Sequence, residues 1–239
     1  MLKKKGQYTS LEKVIRVKYC KEGPIKYISH LSLAQVFTRA LRRANIPVLI
    51  SSGYNPRLRI SFGPPLALGI GSTGEYFDIR ITEEMTTQEL VKRLNSALPT
   101  GLKIMKAMTI SSSLDSLVKT INSAIYLVTL KWDYQFEVQW EKINKDIEEY
   151  LELKEIWISK AGKNGFKRLN IRPSILDFKI EEKDIENRQL FLEINVKMGN
   201  DGNLNPNYVI KAWLTKNEYS FEIVDLNRIG MYINNREVM

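Results

Sequence analysis

The 239-residue chain is 44% hydrophobic and 26% charged, the composition of a globular protein rather than a disordered one. No apolar run approaches the ~20 residues that span a bilayer, and "MLKKKGQYTS" has no apolar stretch behind its lysines. Neither a membrane span nor a signal peptide is therefore expected, and cytoplasmic residence is the plain expectation. One cysteine, Cys20, and one histidine, His30, exclude an internal disulfide, a three-cysteine iron–sulfur site and the usual Cys/His zinc sites; an oxygen-ligand Mg²⁺ site stays open on the carboxylates, but no acidic motif marks one, so no cofactor and no metal are expected.

The net charge of +9 is concentrated at one end. Residues 1–60 carry 13 lysines and arginines against only Glu12 and Glu22; residues 61–110 balance at five of each sign; residues 111–239 hold 18 basic and 20 acidic side chains. Such asymmetry raises the local potential of the first quarter and points to a polyanionic partner, RNA being the commonest.

In chain order, "KVIRVKYCKEG" alternates Val14, Arg16 and Lys18 against Ile15, Val17 and Tyr19, a strand ended by Gly23-Pro24. "SHLSLAQVFTRALRRAN" sets Leu33, Val36, Phe37, Ala40, Leu41 and Ala44 on one helical stripe, with Ser29 as N-cap and Asn45 and Pro47 as the stop. Strands follow at "PVLISS", resuming at "RLRISF", and at "EYFDIRI". "TTQELVKRLNSAL" is a second amphipathic helix capped by Thr86 or Thr87, and "GLKIMKAMTI" a closing strand. After the polar "SSSLDSL" the pattern restarts: strand "SAIYLVTLKW", helix "VQWEKINKDIEEYLEL", strands "RLNIRPSILDFKI" and "RQLFLEINVKMG", a helix after Pro206, and strand "FEIVDLNRIGMYI". The order predicts an α+β chain of two tandem ferredoxin-like (βαββαβ) units, 1–116 and 117–239; the alternative is one continuous α+β sheet.

On the first helix Arg39, Arg42 and Arg43 fall at i, i+3 and i+4, opposite the apolar stripe, where forked guanidinium donors match phosphate oxygens. His30 lies in the first turn, where the helix dipole disfavours a cation and a neutral imidazole is expected. "SSGYNP" is a turn: Gly53 permits positive φ, Asn55 bonds its own backbone, and Pro56 stiffens the exit from the turn. Tyr54, Arg57 and Arg59 then bring an aromatic face and two cations to one patch, a mixture suited to stacked bases flanked by phosphates. "GIGSTG" spells G-x-G-x-x-G but leads into a strand rather than a helix, which removes the dinucleotide reading and leaves only a backbone nest for one anion. "KAGKNGFKRLNIRP" is a basic hairpin grouping Lys160, Lys163, Lys167, Arg168 and Arg172. Trp132, Trp140, Trp157 and Trp213 are read as core.

The stretch "KYISHLSLAQVFTRALRRANIPVLISSGYNPRLRISFGPPLALGIGSTGEYFDI" resembles the radical-SAM-linked domain family, and "RLNIRP" and "RIGMYI" resemble that family's two C-terminal signatures. The likeness is dense over residues 26–80. Ser32 stands where an aspartate is expected and Arg57 where a histidine or proline is common. The resemblance implies an accessory protein that works with a radical SAM enzyme on a separate chain, since this chain lacks the three-cysteine cluster. The tandem fold is similar in outline to CRISPR repeat-RNA endonucleases, whose glycine-rich C-terminal loop has no counterpart in "RIGMYINNREVM". The candidate RNA-contacting residues are Lys26, His30, Arg39, Arg42, Arg43, Ser52, Tyr54, Asn55, Arg57, Arg59 and Arg172. The leading expectation is a non-catalytic RNA-binding accessory protein. The alternatives are a protein–protein adaptor docking on the radical SAM enzyme without RNA contact, and a metal-independent ribonuclease using His30.

Overall fold

The alternation at the start of the chain builds β1 (Lys13–Lys21), which directs Ile15, Val17 and Tyr19 to one side and Val14, Arg16 and Lys18 to the other. The computed structural model describes residues 13–111, 115–135, 138–162, 165–199 and 202–239. Helix α1 (His30–Arg43) starts where expected, the Ser29 hydroxyl accepting from the Ser32 amide at 3.1 Å. Its buried stripe of Leu33, Phe37, Ala40 and Leu41 packs on β1 and on β3 (Gly71–Ile81). Phe37 sits 4.8 Å from Tyr19 and 4.9 Å from Phe77, ring centre to ring centre. Helix α2 (Thr87–Ala97), capped by the Thr86 hydroxyl, buries Leu90 and Leu94 in the same core, and β4 (Leu102–Ile110) closes the first half.

The strand expected at "PVLISS" does not form. Only isolated bridges, Val48 to Ile81 and Ile50 to Leu58, precede a short β2 (Ile60–Phe62). The reason is local: Pro47 and Leu49 still bond β3 and the residue after it, the Leu49 amide to the Arg80 carbonyl at 2.7 Å, but beyond them the chain turns back on itself, the Ser51 amide bonding the Arg57 carbonyl and the Arg59 amide that of Leu49, each at 2.8 Å. The side chain that closes the turn is Ser51, whose hydroxyl accepts from the Arg57 amide at 3.0 Å, rather than Asn55.

The second half contributes a one-turn α3 (Leu117–Thr120), β5 (Ser123–Lys131), α4 (Trp140–Glu152), the hairpin β6 (Trp157–Gly162) and β7 (Gly165–Asn170), β8 (Ile175–Asp184), β9 (Gln189–Lys197), α5 (Pro206–Lys216), β10 (Glu222–Ile233) and β11 (Arg236–Glu237). The strand expected over "RLNIRPSILDFKI" is thus split between β7 and β8, because Arg172–Ser174 turns through a 3-10 segment at Pro173.

The fold is mixed α+β, and its halves share one nine-stranded sheet of order β4-β1-β3-β10-β5-β9-β8, with β2 added to β3 and β11 to β10. Two separate sheets are not formed. Each half nevertheless places its strands in an equivalent order, β4-β1-β3-β2 in the first and β10-β5-β9-β8 in the second. Every pairing is antiparallel except the junction, where β10 meets β3 in parallel at Asn227 with Gly71 and Arg228 with Ser72.

That junction explains the glycine motif. A Cβ on Gly71 would lie 2.1 Å from the Asn227 side-chain oxygen, and one on Gly74 would lie 2.8 Å from the Ile229 carbonyl oxygen. At Gly74 the neighbours are backbone atoms of Ile229 and Gly230, so only bare backbone there lets β10 approach so closely. The amides of the motif are engaged as well, Gly69 to the Lys26 carbonyl at 3.0 Å and Gly74 to the Ser72 hydroxyl at 3.0 Å. The motif is a strand-to-strand seam, and the anion-nest reading loses its donors.

Beside the seam, Arg228 is fully buried (0% exposed). Its Nε donates to Glu75 Oε1 at 2.7 Å, its Nη2 to Glu75 Oε2 at 2.5 Å and to the Pro64 carbonyl at 3.0 Å. Burial opposes the charge, but Glu75 and the Tyr126 hydroxyl outweigh it and raise the Arg228 pKa further. Removing one partner of such a pair leaves a buried, uncompensated charge. Arg228→Met is accordingly expected to lower stability by about 3–5 kcal/mol. The double variant Arg228→Met/Glu75→Leu is expected to unfold at a higher urea concentration than Arg228→Met alone, measured by circular dichroism.

Candidate functional site

The outward stripe of α1 carries Leu31, Ala34, Gln35, Thr38, Arg39 and Arg42, and opposite it runs the segment Arg57, Leu58, Ile60 and Phe62. Between them lies a groove of about 560 Å³. Small residues at 34 and 38 leave the helix surface low, and Thr38 turns its hydroxyl onto the Ala34 carbonyl at 2.8 Å. The floor is apolar, supplied by Leu31, Ala34, Leu58, Ile60 and Phe62, and the rim is cationic. From Leu31 to Arg42 the helix rises about 16 Å.

Among the described residues, none of the Arg39, Arg42 and Arg57 guanidinium groups has a carboxylate or carbonyl partner. Three cationic forks around one groove repel one another and attract anions, and each retains its five donors. The groove holds guanidinium, amide and hydroxyl groups and no carboxylate. Its chemistry is that of holding a multiply charged anion with apolar surface.

The other residues singled out from the sequence are placed differently. Arg43 turns away and donates to the Ala97 carbonyl at the end of α2 at 2.7 Å. Arg59, one residue out of step with Leu58 and Ile60, lines a second groove with Asp78, Arg80 and Asp115. Lys26 is ion-paired to Asp225 at 3.0 Å, and that hydrogen bond raises its pKa. Ser52, Tyr54 and Asn55 are exposed at the loop tip, with Tyr54 100% accessible. Arg172 lies in the second half, its guanidinium donating to the Leu151 and Ile175 carbonyls at 2.9 Å each, where it fastens the end of α4. Lys163 falls outside the described residues.

His30 stands at the near end of the groove, its ring edge-on to Phe62 at 5.4 Å. Burial lowers its pKa, and the nearby Lys21 and Arg228 charges lower it further against an opposing pull from Glu75. The neutral imidazole expected from helix position is thus also favoured by its surroundings. Lys21, which drew no attention in the sequence, is buried and donates to the Lys26 and Ile28 carbonyls at 3.2 and 3.3 Å, fixing the turn that leads into α1. Gln35, Thr38, Leu58 and Phe62 were likewise not singled out, because the groove floor looks in sequence like ordinary amphipathic packing. Trp132 and Trp213 are core as expected, but Trp157 is 49% exposed on the β6–β7 hairpin.

Residues 14–206 match the family described as "Uncharacterized protein conserved in bacteria (DUF2344)". The chain belongs to this family. None of the curated proteins matches it. Among solved structures it is similar to a chain from the crystal structure of a Cbf5-Nop10-Gar1 complex, at 12% identity and a TM-score of 0.48, covering 92% of this chain and 48% of that one. It is also similar to a DypB variant in complex with manganese, at 9% identity and a TM-score of 0.22, and to a Rhodococcus jostii RHA1 DypB variant in complex with heme, at 10% identity and a TM-score of 0.21. Each of these two matches covers 86% of this chain and 84% of the other. The chain thus spans about half the length of the Cbf5-complex chain it matches. No helix among the described residues is long and apolar enough to cross a membrane.

The chain has one histidine, so its imidazole proton resonances need no assignment by mutation. Because the folded-state pKa lies below the unfolded value of about 6.5, the unfolded chain takes up the proton more readily, and His30 destabilises the fold as pH falls through that value. An NMR titration is expected to give a midpoint below 6.5, with the imidazole neutral at pH 7; a midpoint above 6.5 would contradict this placement.

Proposed function

We propose that this protein is a non-catalytic accessory component that binds single-stranded RNA in the groove between α1 and β2 and presents it to a separate radical SAM enzyme. The observation that carries the RNA half is the trio of guanidinium groups, Arg39, Arg42 and Arg57, unpartnered among the described residues, around an apolar floor ending in Phe62. Phosphates suit the forked donors, and bases suit the apolar floor, which ends in the Phe62 ring. The uneven distribution of charge, with the excess in residues 1–60, supports the same reading.

The enzyme half of the reading rests on the resemblance of residues 26–80, "RLNIRP" and "RIGMYI" to the radical-SAM-linked domain family. In this reading the chain acts in the cytoplasm, and its two equivalent strand orders are two ferredoxin-like units fused edge to edge into one sheet. The Arg228–Glu75 pair joins those units and supports the loop from which the groove's β2 side departs.

The test is fluorescence anisotropy of a labelled single-stranded RNA dodecamer against the purified protein. Arg39→Gln/Arg42→Gln is expected to weaken binding at least about tenfold, each charged hydrogen bond contributing about 1.5–3 kcal/mol. Arg43→Gln and Arg59→Gln, whose side chains point elsewhere, are expected to bind like wild type. Unchanged binding in the double variant would overturn the reading, as would displacement of RNA by an acidic peptide at equal charge and concentration.

A further inference from the structure

The β6–β7 hairpin stands apart from the nine-stranded sheet as a two-stranded unit of its own. It is firmly rooted. Ile156 and Ile171 are buried and joined by a 2.8 Å backbone bond, and the Asn170 side chain accepts from the amides of Ile156 and Arg172 at 3.0 and 3.1 Å. Beyond that base the strands project, and almost every residue on them is exposed.

The register decides what each face offers. Trp157 opposes Asn170, Ser159 opposes Arg168, and Ala161 opposes Phe166, so these six share one face. On it the Arg168 guanidinium lies 5.0 Å over the Trp157 ring, while Phe166 is 83% exposed near the tip. The other face pairs Lys160 directly with Lys167. Among the described residues of the two strands there are three cations and no carboxylate.

Neither feature stabilises a hairpin. Like charges directly opposite each other across a strand pair repel, an exposed Phe offers nothing to water, and a two-stranded unit is marginal to begin with. The face that sets Trp157 and Phe166 about Arg168 is complementary to flat bases beside a phosphate, and the Lys160–Lys167 pair adds positive potential from the opposite face.

We propose that the β6–β7 hairpin is a second RNA-binding arm, in which Phe166 and the Trp157–Arg168 pair stack bases on one face while Lys160 and Lys167, on the other, raise the potential that draws the strand in. The inference rests on the RNA reading of the α1 groove and extends it: the natural ligand is a single strand long enough to engage both the groove and the arm.

The experiment measures binding of a labelled single-stranded RNA 20-mer to the full chain in four forms: wild type, Phe166→Ser, Lys160→Ser/Lys167→Ser, and Arg39→Gln/Arg42→Gln. All the altered positions are at the surface, and unchanged thermal unfolding verifies that each variant is folded. Phe166→Ser is expected to weaken binding about tenfold, within the range of one lost stacked base, and the lysine double variant to weaken it and flatten its salt dependence. If both hairpin variants bind like wild type while the groove variant loses RNA, the arm is overturned and the groove reading stands. If the hairpin variants lose RNA and the groove variant does not, the arm stands and the groove reading falls. Loss in the lysine variant with no loss in Phe166→Ser would overturn the stacking role, and no binding by wild type would overturn both.

Discussion

The structure depends on the buried ion pair at which its two halves meet. Arg228 on β10 and Glu75 on β3 lie 153 residues apart in sequence, and their forked contact sits where the two halves of the sheet meet. The pair forms only if β10 comes close enough to β3, which in turn requires bare backbone at Gly74. Arg228 also accepts, through its own carbonyl, the Ser72 hydroxyl at 2.8 Å, and its guanidinium holds the Pro64 carbonyl. Loop 63–70 is thereby fastened between the groove's β2 wall and the seam. A buried pair contributes little net stability, yet breaking one side of it is costly, so its effect is to enforce one way of joining the halves.

Much of the fold was legible because its elements obey simple periodicities. Alternation exposed β1, the spacing of Leu33, Phe37, Ala40 and Leu41 exposed the buried face of α1, and Ser29 announced one helix start and Thr86 or Thr87 the other, with the Ser29 and Thr86 hydroxyls making the caps. The joining of the halves was not legible. Nothing local in "GIGSTG" or "RIGMYI" says that these segments lie side by side, and a parallel contact of two residue pairs leaves no pattern in either strand. The missing strand at "PVLISS" has a similar cause. Val48, Leu49 and Ile50 have strand-forming side chains, but the backbone bonds of Ser51 and Arg59 close that segment on itself.

The candidate site was legible in its charges and not in its shape. Arg39, Arg42 and Arg57 stand around one groove, as a helical face and a following turn suggested. Arg43 and Arg59 do not join them, although each is a near neighbour in sequence: one residue along a helix turns a side chain by about 100°, and one residue along a strand reverses it. Lys26 and Arg172 show the limit of reading cations as binding groups, since the first is ion-paired to Asp225 and the second fastens carbonyls of α4 and β8. Trp157 shows the converse, an aromatic residue in an apolar context that faces water because its strand belongs to a projecting hairpin.

A groove rimmed by arginines that have no partner among the described residues, and floored by apolar side chains, is the feature around which the functional account is built. Its most direct test is the salt dependence of binding to a short single-stranded RNA hexamer. For single strands the logarithm of the binding constant falls against the logarithm of salt with a slope of about −0.7 per phosphate neutralised. The account predicts a wild-type slope of about −2 for three arginines, reduced in magnitude by about 0.7 in each of Arg39→Gln, Arg42→Gln and Arg57→Gln. A loss of affinity with the slope unchanged would mean that these arginines do not touch phosphate, and would contradict it.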